Sequence, residues 1–135
     1  MMKDDTNSTP EQRWAINLEW LKDNNRSLTT MVKNLLCPKC RKKLKVDQVE
    51  AKVNDIIKAL KTCCSKSSDY ITPTLPIQES IFRIFLANGN QPLTIEELGS
   101  QLDQRRGMDA YRASVRVLER LLKNDQHYGL QQVID

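Results

Sequence analysis

A chain of 135 residues with 39% hydrophobic and 28% charged side chains suits one compact domain or two very small ones, and is too apolar to be a disordered polymer. Aromatic residues are only 5%, so the core must rest on Leu, Ile and Val, and cores that small often need a metal or a disulfide. The polar opening MMKDDTNSTP has no signal-like apolar segment, and no apolar run approaches the roughly 20 residues of a spanning helix, so the reading is a cytoplasmic protein without a membrane partner.

In chain order, residues 1–9 read as a disordered tail. Thr9 and Pro10 then offer an N-cap and a first-turn proline. Trp14, Leu18 and Leu21 follow at helical spacing, with Ile16 and Trp20 widening the face, and Asp23-Asn24-Asn25 ends that helix. Ser27 caps a second short helix striped by Leu28, Met31, Val32, Leu35 and Leu36. It delivers the chain into Cys37-Pro38-Lys39-Cys40. After Arg41-Lys42-Lys43, a third helix carries Val46, Val49, Val53, Ile56, Ile57 and Leu60 at three- and four-residue steps and ends at Cys63-Cys64.

Residues 69–76, with Pro73 and Pro76 behind a serine cluster, read as a linker between a helical region, 10–68, and a second domain, 77–135. Ile77, Ile81, Ile84 and Phe85 open a helix that stops at Asn88-Gly89-Asn90. Thr94 and Glu97 spell a capping box for a helix with Leu98 and Leu102 on its apolar side. Arg105 to Asp109 reads as a turn, Tyr111, Val115, Leu118 and Leu122 as the stripe of a longer helix, and Leu130 to Val133 as a short strand. The fold class is therefore mainly α with at most a short strand.

Four cysteines carry the strongest chemical signal. A reducing compartment favours thiolate–metal bonds over disulfides. A C-x-x-C pair forms a tight knuckle that presents two sulfurs to one ion, and Cys63 with Cys64 complete the four ligands that thiolate-bound zinc prefers. Cys37, Cys40, Cys63 and Cys64 thus read as one structural Zn2+ site per chain. Burial in the helix stripe is the competing reading for Cys63 and Cys64, and a redox pair the competing one for Cys37 and Cys40. Four thiolates leave no open position for water. With one histidine and no phosphate loop, nucleophile elbow or metalloprotease motif, the chain reads as no enzyme and as having no small-molecule substrate.

Charge is unevenly spread. From Lys33 to Lys66 there are ten basic against three acidic residues, but from Leu75 to the end seven against eight. Arg41, Lys42 and Lys43 lie in the basic stretch and are candidate nucleic-acid contacts, or an ordinary solvated face.

The stretch IQESIFRIFL, the phrase NGNQPLTIEEL and the helix beginning near Tyr111 resemble a winged-helix or helix-turn-helix domain of the HARE-HTH type. The resemblance implies DNA as partner and makes the third helix the recognition helix. Its Arg112, Arg116 and Arg120, with Arg105 and Arg106 just before it, would then meet phosphates and base edges. Winged-helix domains also dock proteins, so a non-catalytic adaptor stays open, marked by an exposed Trp14 or Trp20.

Overall fold

A computed structural model of the chain describes residues 12–46, 52–107 and 113–133. Its elements run β1 (Arg13–Ile16), α1 (Leu18–Asp23), α2 (Leu28–Lys33), α3 (Pro38–Leu44) and α4 (Val53–Thr62), then a 3-10 turn at Cys64–Lys66. After it come α5 (Ile77–Ala87), β2 (Leu93–Thr94), α6 (Ile95–Arg106), α7 (Val115–Lys123) and β3 (Leu130–Gln132). The fold is mainly helical with one small antiparallel sheet of order β2-β1-β3.

The sheet corrects the first expected helix. Trp14 pairs with Leu93 on one side and Gln132 on the other, and Ile16 pairs with Leu130. A stretch whose spacing suits a helix is extended because two distant strands each offer it an edge. Trp14, Ala15 and Ile16 are all buried, as a central strand covered on both faces requires, whereas Leu18 is 52% exposed. Helix α1 begins only after Asn17, whose side chain accepts from the Trp20 N–H at 3.0 Å.

Asn90 fixes the end of β1. It sits at φ 61°, a conformation Asn tolerates, and closes α5 with an N–H donated to the Phe85 carbonyl at 2.6 Å. Its side chain accepts from the Ile16 N–H and donates to the Ile16 carbonyl, each at 2.9 Å. Gly129, at φ 72°, approaches from the other side: its carbonyl accepts from the Asn17 N–H at 2.7 Å. A Cβ on Gly129 would lie 3.1 Å from both the Asn17 carbonyl oxygen and Leu21, so this glycine serves conformation and close approach together.

Most capping signals fall where the sequence puts them. Ser27 caps α2, and Thr94 and Glu97 form a complete capping box on α6. Other boundaries differ. The helix expected from Val46 is not seen there: α3 takes in Arg41, Lys42 and Lys43 and is capped by Lys45 in the left-handed conformation, and α4 begins at Val53. Helix α6 runs on to Arg106, so Arg105 and Arg106 belong to its last turn rather than to a separate loop. Helix α7 begins at Val115 behind the N-cap Ser114, and Val115 is 52% exposed instead of buried. Leu118 and Leu122 do face the core. The tail 1–9, Val49 and Tyr111 lie outside the described residues.

The segment 69–76 holds buried side chains. Tyr70 and Ile71 are both buried, and the Tyr70 hydroxyl donates to the Arg83 carbonyl at 2.6 Å. Arg83 returns the bond, donating to the Tyr70 carbonyl at 2.6 Å. Buried side chains from Trp14 to Leu130 form one cluster, to which α5 contributes most heavily through Ile81, Phe82, Ile84, Phe85 and Leu86.

Candidate metal centre

Two helix ends meet at the cysteines. Cys37 is the N-cap of α3, with Pro38 setting the helical φ of the first turn, and Cys40 follows one turn later on the buried side. Cys63 ends α4, and there the helix breaks into the 3-10 turn that starts at Cys64. That break matters. Adjacent residues of a regular helix diverge by about 100°, so two neighbouring sulfurs reach one point only where the backbone departs from it.

The four Sγ atoms all lie within 4.8 Å of one another and could hold a metal ion. A tetrahedron with metal–sulfur bonds near ~2.3 Å has edges of about 3.8 Å. The Cys37–Cys64 separation of 3.4 Å and the 4.8 Å limit bracket that edge. The donor set therefore fits a tetrahedral ion. None of the four cysteines is in a disulfide.

The surroundings differ among the four. The backbone N–H of Cys40, then the Cys64 thiol, stabilise the Cys37 thiolate and hold its pKa down at about 7. Burial pushes the Cys40 and Cys64 thiols up. The Cys37 N–H also donates to the Cys64 sulfur at 3.2 Å, a bond that strengthens when sulfur carries charge.

No known family model, curated protein or solved structure matches the chain.

The basic candidates divide sharply. Lys42 and Lys43 are exposed on α3, while Arg41 turns back to donate to the Lys33 carbonyl at 2.9 Å. Arg116 and Arg120 are exposed on α7; Arg112 lies outside the described residues. Arg105 remains accessible but donates to the Ser65 carbonyl at 2.6 Å and stacks 5.9 Å from the Tyr70 ring centre. Arg106 is buried. It donates to the carbonyls of Leu75 and Pro73 and to the Ser80 hydroxyl, so its guanidinium binds the 73–75 backbone and is closed to a ligand.

Reading the sequence alone missed a cleft beside the cysteines. Lys39 and Lys43 of α3 face Lys58 and Thr62 of α4 across it, with Cys40 and Cys63 in its lining. The available signal was the four-residue spacing of those two pairs, each next to a cysteine. Spacing alone does not single the cleft out, because Lys58 suits equally a solvated charge near the end of its helix.

Proposed function

We propose that the protein is a zinc-stabilised nucleic-acid-binding protein, a DNA-binding regulator in which Cys37, Cys40, Cys63 and Cys64 hold one structural Zn2+. The convergence of four sulfurs within 4.8 Å carries the metal part of this reading. Four thiolates in tetrahedral array select zinc or iron–sulfur chemistry rather than hard cations, and a single ion with every position filled by protein has no catalytic vacancy. Bound there, zinc would tie the start of α3 to the end of α4.

The charge around the cysteines supports the nucleic-acid part. Residues 37–66 carry nine basic side chains against three acidic, Asp47, Glu50 and Asp55. On α3 and its C-cap, Lys39, Lys42, Lys43 and Lys45 are all exposed. Such a face favours phosphate backbones whatever their sequence. The order α5, β2, α6, α7, β3 agrees with a winged-helix-like arrangement in which Arg116 and Arg120 on α7 supply further contacts. Arg106 leaves the contact set because its guanidinium is buried and bonded to the 73–75 backbone.

Duplex binding at two salt concentrations tests the reading. Affinity should fall steeply between low and moderate salt, and Lys42→Glu with Lys43→Glu should weaken it by at least tenfold. No binding at low salt contradicts it.

The adaptor alternative loses one mark, since Trp14 is 3% exposed. The other mark, Trp20, is half-buried against the core; Val115, expected in the core, is instead an apolar side chain 52% exposed at the start of α7. A Val115→Ser variant that binds DNA like the wild type but loses a protein partner would favour it.

A further inference from the structure

The cleft between α3 and α4 has a volume of about 440 Å3, within the range of ~300–1,000 Å3 typical of ligand sites. Its walls are two helical rows. Lys39 and Lys43 stand one turn apart on α3, and Lys58 stands on α4 with Asp55 nearly a turn before it. Leu44 and Ala59 supply apolar lining, and Cys40 and Cys63 bring the metal-binding sulfurs to it. The Thr62 hydroxyl already donates to the Lys58 carbonyl at 2.8 Å, so the donors left for a ligand are the three ammonium groups. Among the described residues no aromatic side chain lines the cleft, which argues against base stacking as the mode of binding.

We infer that this cleft seats a phosphate of a nucleic-acid backbone, held by Lys39, Lys43 and Lys58. The inference rests on the nucleic-acid reading above and deepens it, because it places a contact at the metal centre itself. Three ammonium donors around an open hollow match a phosphodiester, which presents two charged oxygens and needs no planar partner. Asp55 limits the cleft to one end of the lysine cluster by repelling an anion from its own side. A zinc ion on four thiolates would bear a net charge of −2, which with Asp55 offsets the three cleft lysines, so the positive excess comes from the surface around them. Lys42, Lys45 and Lys66, exposed on the same region, keep the surrounding surface positive. Contact here would be independent of base sequence and would leave discrimination to α7.

Acetylation of lysines on the full wild-type protein, with and without a saturating mixed-sequence DNA duplex, tests this directly. Lys39, Lys43, Lys58 and the control Lys22 on α1 are all exposed in the free chain. Bound DNA should reduce acetylation of the three cleft lysines severalfold and leave Lys22 unchanged. As a second measurement, Lys39→Gln, Lys43→Gln and Lys58→Gln together should lower the slope of log K against log salt by about 1, the loss of one phosphate contact, with metal content retained. DNA that binds without protecting these lysines overturns the cleft assignment and leaves the broader reading standing. A wild type that binds no DNA at low salt overturns both.

Discussion

The helices on either side of residue 70 are held by different means. Helix α3 buries only Cys40 among its seven residues, and α4 buries Ile56 and Leu60. Helix α5 buries six of its eleven, including Phe85 and Ile81 with no exposed surface. Where apolar burial is plentiful, transfer free energy fixes the helix. Where it is scarce, as on α3, the side chains that could fix it are sulfurs. A short helix surrounded by like charges needs such a clamp, because few of its residues can offset the entropy of ordering them. The lysines that leave α3 poor in apolar burial are the same ones that make its surface attractive to an anion.

This contrast can be broken from either end. The largest effect should come from Cys40→Ser. It should release the metal and destabilise α3 and the end of α4 by at least about 5 kcal/mol, since metal binding and folding are one free energy there. Hydrogen exchange should show amide protection lost in 37–46 and around residue 63, while α5 and α6 stay protected. Uniform loss through α5 and α6 would show that both regions rest on the metal.

Phe85→Ala should cost about 3–5 kcal/mol through the cavity it leaves, yet metal content per folded chain should stay the same. Zinc lost from folded Phe85→Ala protein would tie the sulfurs to the apolar core. Asn90→Ala comes next, at about 2 kcal/mol, because it orphans the backbone polar groups of Ile16. Thermal melting of the variant measures that cost, and an unchanged melting temperature would remove Asn90 as the anchor of β1.

The smallest effect belongs to the α6 capping box. The Thr94 N–H, first, and the Thr94 hydroxyl interaction hold the Glu97 carboxyl below its usual range. A carboxyl lowered on folding contributes stability above its unfolded pKa and loses it as pH falls through the folded value. The stability gap between wild type and Glu97→Gln should therefore narrow below about pH 4, as read from denaturant titrations at a series of pH values.

Local signals were legible wherever the cause was local. Ser27, Thr94 and Glu97 act within four residues of themselves, and the apolar spacing of Ile81, Ile84 and Phe85 reports one helix face. The cysteines were legible for a different reason, since a count of four with one C-x-x-C pair constrains what thiols can do. Strand β1 was not legible, because its conformation is decided by Leu93 and Leu130, far along the chain, and its residues fit a helical stripe equally well. The fate of Arg106 was hidden in the same way. Nothing near it in sequence announces that the carbonyls of Pro73 and Leu75 take its donors. The cleft between α3 and α4 depends on how two helices are set against each other, which spacing within each could not reveal.

Whether a metal sits on the four sulfurs decides how α3 is held. Native mass spectrometry of protein purified without added metal, before and after a strong chelator, measures it most directly. The prediction is one zinc per chain, lost on chelation together with the protection of 37–46. A mass equal to the metal-free chain, with a melting temperature that the chelator does not change, would contradict it and leave Cys40 and Cys64 as buried thiols and Cys37 and Cys63 as half-buried ones.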